Sequence, residues 1–317
     1  MPRDGATILK NVISIPSNSD VYRAYFQSNE FTILSDAYAI RWMFNDIKLL
    51  PNQYLFMVLC INKATDLPIY SYKNKLGGWN VAKNKYIQLP IKNGKIDFDF
   101  MENFIAELEA QRYAELEAYL SVTGLKDTHL SLKEEQALAE FGNVKWGTFN
   151  LEKLYGKSTR GKRLKSADRI SGDLPFVTAG EADEGISDYI GNDVDVFSHN
   201  TTTIDMFGSA KYRNYDYGGD DHIAVVHTES LSKFAAIFVT AAIHKSSHTG
   251  KFDYGHNFYA KDADELDISL PEKNGHPDYA SMDALISAIQ KIVIKDVVKY
   301  SSEKLTAIKS VVEKKTV

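Results

Sequence analysis

Asp220-Asp221-His222 carries the residue types with which a chain could cut a phosphodiester. Two carboxylates beside an imidazole can ligate a divalent cation, and a bound cation activates water or polarises a phosphoryl oxygen. Neighbouring residues on a strand point to opposite faces, which would set Asp220 and Asp221 apart. In the competing reading Asp221 and its counterpart Asp36 hold turns at the entry to a strand. His244 and His248 form an H-x-x-x-H pair, a spacing that could serve zinc. No glutamate stands between them, the matching positions of an earlier segment are Asn62 and Asp66, and no zinc site is expected. A glycine-rich dinucleotide fingerprint, a P-loop and a nucleophile elbow are all absent.

Binding chemistry has a better foothold. Thr201 to Tyr215 reads as a strand, a glycine turn at Gly208, and then Lys211-Tyr212-Arg213-Asn214-Tyr215. Arginine and asparagine pair with base edges, while lysine and tyrosine hold phosphates. A counterpart, Ser17-Asn18-Ser19-Asp20-Val21-Tyr22-Arg23-Ala24-Tyr25, keeps the tyrosines and the arginine but changes their neighbours. Packing of a tyrosine-rich strand edge is the bland alternative. Lys157, Arg160, Lys162, Arg163, Lys165 and Arg169 also crowd one loop. The net charge of −5 argues against a generic polyanion binder, yet it leaves room for a local basic surface.

These residues recur because the chain contains itself twice. Ile87 to Phe98 (IQLPIKNGKIDF) matches Ile268 to Tyr279 (ISLPEKNGHPDY), with Pro90 and Pro271 181 residues apart. A period this long exceeds the roughly 20–50 residues of a solenoid and marks a duplicated domain. Upstream, Leu55–Lys63 aligns with Ile237–Lys245 as a buried helix, and Ser35–Ile40 aligns with Asp220–Val225 as a strand. Tyr22–Tyr25 aligns with Tyr212–Tyr215. The second copy has about fifty more residues before the shared segment, so the first module is expected to lack leading strands.

Each copy ends in a helical stripe. The first runs through Met101, Phe104, Ile105 and Leu108 to Leu120 and stops at Gly124; the second runs through Met282, Leu285, Ile286, Ile289 and Val293 to Val312. At about 1.5 Å per residue they make rods of roughly 35–50 Å. Modules related by a two-fold would let the helices lie antiparallel, with a module at each end. The alternative packs each helix on its own module. Ser131-Leu132-Lys133-Glu134 reads as a capping box opening a short helix, and Trp146–Phe149 as a first strand with Trp146 in the core. Cys60 is core filling, and no apolar run reaches the roughly 18 residues of a membrane span, so a cytoplasmic protein is expected.

Leu174 to Glu181, Glu184-Gly185-Ile186, Thr201 to Gly208 and Asp220 to Val225, followed by the Leu-Pro signature before a long helix and all in tandem, resemble the target recognition domains of Type I restriction-modification specificity subunits. The resemblance implies an α+β chain with two mixed α/β recognition domains separated by an antiparallel two-helix coiled coil. The expected bounds are 1–96 and 126–276 for the domains, and 97–125 and 277–317 for the spacer helices. It implies a non-catalytic subunit that reads a bipartite double-stranded DNA site and recruits modification methyltransferase subunits, joined in some complexes by a restriction translocase. Type IIB and Type IIG systems use the same domain. S-adenosylmethionine would sit in the methyltransferase, with no cofactor or metal in this chain. Carried over by position, the DNA contacts are Thr178, Thr203, Ser209, Lys211, Tyr212 and Arg213, with Ser17, Asn18, Ser19, Tyr22 and Arg23 in the first copy. Lys162 and Arg163 join them from the basic loop. Met101, Ile105, Leu108, Met282, Ile286, Ile289 and Val293 would meet the partner.

Overall fold

Helix starts and tight turns fix the architecture. The computed structural model describes residues 6–19, 22–44 and 47–315, with side chains of the last helix through Ala307. Asp20, Val21, and the side chains of Ile308, Val311 and Val312 lie outside the described residues. The chain divides into unit 1, residues 1–126 and 297–317, and unit 2, residues 127–296.

In unit 1, β1 (Ile8–Leu9) pairs with β4 (Phe31–Thr32), and β2 (Val12–Pro16) lies between β3 (Tyr25–Gln27) and β5 (Ala37–Ile40). Helix α1 (Pro51–Thr65) starts on a proline, which needs no helical partner for its missing N–H, and Gln53 Oε1 accepts the Leu50 N–H at 2.9 Å. Its Tyr54, Met57, Val58 and Ile61, spaced by threes and fours, bury against Ile13, Ile15 and Met101. A single turn, α2 (Trp79–Ala82), precedes the hairpin of β6 (Ile91–Lys92) and β7 (Lys95–Ile96) and the long α3 (Phe98–Val122).

Unit 2 opens with α4 (Leu132–Glu140). Its capping box forms as expected: the Ser131 N–H donates to Glu134 Oε2 at 2.6 Å and the Glu134 N–H to Ser131 Oγ at 3.4 Å. Strand β8 (Trp146–Asn150) and the short α5 (Leu151–Tyr155) lead to β9 (Thr159–Arg160), β10 (Ser171–Val177), β11 (Ile186–Ile190) and β12 (Val196–Phe197). Next come β13 (Thr201–Asp205), β14 (Ala210–Arg213), β15 (Tyr217–Gly219), β16 (Ile223–Val226), α6 (Lys233–Ser247) and the short α7 (Ala260–Asp264). The unit's last elements are β17 (Asp267–Lys273), β18 (His276–Pro277) and the start of α8 (Tyr279–Lys315). Two four-stranded sheets, β11-β10-β15-β12 and β14-β13-β16-β9, accompany a three-stranded one, β18-β17-β8; only β10 and β15 run parallel.

The duplication is structural. The order β3-β2-β5 repeats as β14-β13-β16. The Asn93-Gly94 and Asn274-Gly275 turns both take positive φ (50° and 74°; 55° and 83°), as a two-residue hairpin loop requires. An aspartate then caps each long helix: Asp97 accepts the Phe100 N–H at 2.9 Å and Asp278 the Ser281 N–H at 3.1 Å. Equivalent helix side chains tie down equivalent strands. Asn62 accepts the Ala24 N–H at 2.5 Å where His244 Nδ1 accepts that of Ala210 at 3.1 Å; Thr65 donates to the Tyr22 carbonyl where Ser247 donates to that of Gly208.

Those bonds correct two alignments. Ile13 pairs with Ile40 where Thr202 pairs with Val226, which equates Ala37 with Ile223, one residue away from the sequence alignment. Ser14 pairs with Tyr25 where Thr203 pairs with Lys211, so Arg213 corresponds to Gln27 and not to Arg23. Strand period two leaves a slip invisible when both faces carry mixed residues.

In unit 2, β8 pairs with β17 and Ile268 is 1% exposed; among the described residues of unit 1 no strand pairs along Ile87–Pro90, and Ile87 is 38% exposed. Trp146 also departs from expectation. It is 45% exposed, stacked on Phe238 at 6.3 Å and on the rim of a groove of about 780 Å³ with Phe141 and Ile289.

Within unit 1, the tail of α8 meets α3. The Tyr113 and Tyr300 hydroxyls are 3.2 Å apart, and the Ser302 hydroxyl donates to Glu117 at 3.2 Å. Met101, Ile105 and Met282 do not belong to a partner face. The first turns of each long helix are driven into the core of their own unit, which buries all three, whereas Leu108, Ile289 and Val293 are exposed and Ile286 is half-buried.

Candidate nucleic-acid interface

Arg213, expected to read bases, is 1% exposed. Its Nε donates to Thr203 Oγ1 at 2.9 Å, and Nη1 donates to the Glu184 carbonyl at 2.9 Å and to the Tyr215 hydroxyl at 2.8 Å. The Tyr215 and Tyr217 rings lie 6.0 and 5.9 Å from its guanidinium carbon. Arg213 is a clamp. It grips a turn whose Asp183 and Glu184 hold left-handed backbone, φ 47° and 56°, a conformation that costs non-glycine residues energy and needs such support. Thr178 braces the same turn by donating its N–H to the Gly185 carbonyl at 2.8 Å.

The neighbouring candidates are also engaged. Thr203 is buried, and buried Ser209 takes its N–H to Asp205 Oδ1. The Lys211 side chain, 16% exposed, bonds Glu181 at 3.1 Å and Ser209 at 3.0 Å. The Ser209 hydroxyl, with Lys211, holds the Glu181 carboxyl below its ordinary range. Tyr212 donates its hydroxyl to Asn200 Oδ1 at 2.9 Å. In unit 1, Tyr22 is buried edge-on to Tyr70, and Arg23 pairs with Asp66 at 2.9 Å. Ser17 donates its N–H to the Asp36 carbonyl, Ser19 is half-buried, and Asn18 stays exposed. Thr203, Ser209, Arg213 and Tyr22 are therefore interior groups in this structure, closed to direct contact with DNA.

The basic loop is different. Lys157, Lys162, Arg163 and Lys165 are all exposed, and the Lys162 ammonium pairs with an exposed carboxylate, Asp195, at 2.7 Å. The backbone of this loop is fastened to the turn ahead of β16. The Gly161 N–H donates to the Ile223 carbonyl, the Lys162 N–H to that of Gly219, and the Leu164 N–H to Asp220 Oδ1. Gly161 is required here, since a Cβ would lie 2.3 Å from the carbonyl oxygens of both Gly219 and Asp220.

The same contacts explain Asp220-Asp221-His222. The three sit before β16 rather than on a strand, so their ligand atoms converge within 4.8 Å instead of pointing apart. Each carboxylate already has a task. Asp220 holds the loop backbone, Asp221 receives Arg160 at its carbonyl (2.6 Å) and carboxylate (3.4 Å), and His222 Nδ1 lies 3.3 Å from Asp221. The cluster is a loop anchor, and the nuclease reading is not favoured. His244 Nδ1, turned to the Ala210 N–H, is likewise spent on structure.

Residues 143–307 match the family model of the Type I restriction modification DNA specificity domain. The chain belongs to that family. It is a restriction-modification DNA specificity subunit, the recognition component rather than the catalytic one. It is similar to the Type II restriction enzyme BgcI specificity subunit of Heyndrickxia coagulans, 25% identical over 249 residues, which cover 77% of this chain and 68% of that protein. Its fold matches the S subunit of a Type I restriction-modification system from M. genitalium, with a TM-score of 0.53 at 12% identity, over 97% of this chain and 82% of that one. The fold is thus that of a specificity subunit, in mixed helix and sheet. The groove beside Trp146 escaped the sequence reading, because its walls come from Leu138, Phe238 and Ile289, far apart in the chain.

Proposed function

We propose that the chain supplies a DNA methyltransferase with its target sequence by gripping a bipartite duplex site, one half with each unit. The observation that carries this is the repeated frame of strand order, Asn-Gly hairpin and Asp-capped helix within a specificity-domain chain. In unit 2 the phosphate contacts fall to Lys157, Lys162, Arg163 and Lys165, presented on a backbone that Asp220 and Gly161 hold still. Exposed cations on a fixed loop neutralise phosphates without paying for ordering on binding. Arg213 acts on recognition indirectly, by holding the 182–185 turn.

The methyltransferase would dock on exposed apolar residues of the long helices, Leu108 on α3 in unit 1 and Ile289 and Val293 on α8 in unit 2, and would bring S-adenosylmethionine itself. In some complexes a restriction translocase would join it. Among the described residues no helix is long and apolar enough to cross a membrane, and we place the protein with DNA in the cytoplasm. Selection from random duplexes by the chain with its methyltransferase tests the reading. Enrichment of two short motifs at a fixed gap supports it, and recovery of random sequence refutes it.

A further inference from the structure

Unit 1 also carries a long stretch of one-sided charge. From Leu67 to Ile96 there are six lysines, Lys73, Lys75, Lys83, Lys85, Lys92 and Lys95, and no aspartate or glutamate. The equivalent stretch of unit 2, Thr249 to Pro277, has three lysines and six acidic residues. Both stretches link the same two elements, the buried helix and the Asn-Gly hairpin. The fold is therefore indifferent to this charge, and a merely solvating surface would need neither a single sign nor its reversal between copies.

All six lysines are exposed. Lys85 donates to the Tyr70 hydroxyl at 2.7 Å and Lys83 to Asn80 Oδ1 at 3.2 Å, neutral groups that do not cancel the positive charge there. The segment is also held in place. Leu76 is buried, Tyr22 donates its hydroxyl to the Ser71 carbonyl at 3.4 Å, and Trp79 packs beside Tyr38 at 6.1 Å. Exposed rings of Tyr72 and Tyr86 stand among the lysines. Fixed ammonium groups interleaved with flat rings and amides suit a nucleic-acid backbone.

We infer that residues 67–96 form the phosphate-contacting surface of unit 1, gripping the backbone of duplex DNA through Lys73, Lys75, Lys83 and Lys85. This rests on the recognition role above and locates one half of it. It also gives the two units different grips: a loop before the shared frame in unit 2, and the connection after the buried helix in unit 1.

The test is the salt dependence of binding of the full chain to a labelled duplex of mixed sequence. Replacing Lys73, Lys75, Lys83 and Lys85 together by Gln should make the slope of log K against log salt shallower by about 3–4, at roughly 0.9 per lost phosphate contact. Lys73→Gln with Lys75→Gln alone should give about half of that. A control that replaces the exposed Lys133, Lys153 and Lys273 by Gln should leave the slope nearly unchanged. Equal slopes for the quadruple variant and the control overturn the inference while leaving sequence selection by the parent chain intact. If the parent binds no duplex even with its methyltransferase, the recognition role falls as well.

Discussion

The Arg213 guanidinium and the Thr203 hydroxyl are 2.9 Å apart inside unit 2, and both residues are buried. An arginine on a strand of a DNA specificity domain invites a base-reading role, but here its donors are directed inward, to Thr203, Tyr215 and the Glu184 carbonyl. Arg213→Ala should destabilise unit 2 by about 2–4 kcal/mol, because it strips a buried hydrogen-bond network and frees a strained turn. Denaturant unfolding reads this directly. Specific and non-specific DNA binding should weaken together, and a selective loss of sequence preference in a fully stable variant would restore the base-reading role.

Lys162→Gln with Arg163→Gln should leave thermal stability within about 0.5 kcal/mol of the parent, as expected for exposed side chains. Duplex affinity should fall, with the salt slope shallower by up to about 2. Titration by fluorescence anisotropy at several salt concentrations separates this from a loss of specificity.

Gly161→Ala tests how the loop is held. The added methyl would meet the Gly219 and Asp220 carbonyls at 2.3 Å, so the loop must lift. We expect a cost of about 1–3 kcal/mol, with weakened DNA binding although no cation is removed. Unchanged melting and unchanged binding would show that the loop position is irrelevant.

Glu134 sets a pH dependence in unit 2. Burial alone would raise its carboxyl, but the Ser131 N–H, the Ser287 hydroxyl and Lys291 together lower it to about 2 from an ordinary 4.5. A depressed carboxyl stabilises the folded state above its unfolded value, and that contribution is lost as pH falls from about 4.5 towards about 2. Glu134→Gln should therefore lower Tm at neutral pH by about 3–8 °C, and the gap from the parent should close across that acid window. A gap that stays constant from neutral pH down to the bottom of the window would contradict the ion-pair account.

Much of the frame was legible because its signals are local. The repeated Leu-Pro segment, the capping box at Ser131, and the apolar runs that become α1 and α6 each depend on a few consecutive residues. Burial of functional-looking groups was not legible. Nothing in Lys211-Tyr212-Arg213 announces that Glu184 and Tyr215 will enclose the arginine, because the enclosing turn is contributed by residues some thirty positions away. Strand register slipped for a related reason: Asn62 and His244 fix it from a helix, through equivalent but chemically different bonds. The helical stripes were visible, but not the point where each leaves its own core. Met101 and Met282 fall inside, while Leu108 and Ile289 fall outside.

The central claim, that this chain tells a methyltransferase where to act, is tested most directly by mapping modified bases across the native genome with and without its gene. The account predicts a split methylated motif in the parent that disappears on deletion and returns with the gene. The same motif persisting after deletion would contradict it.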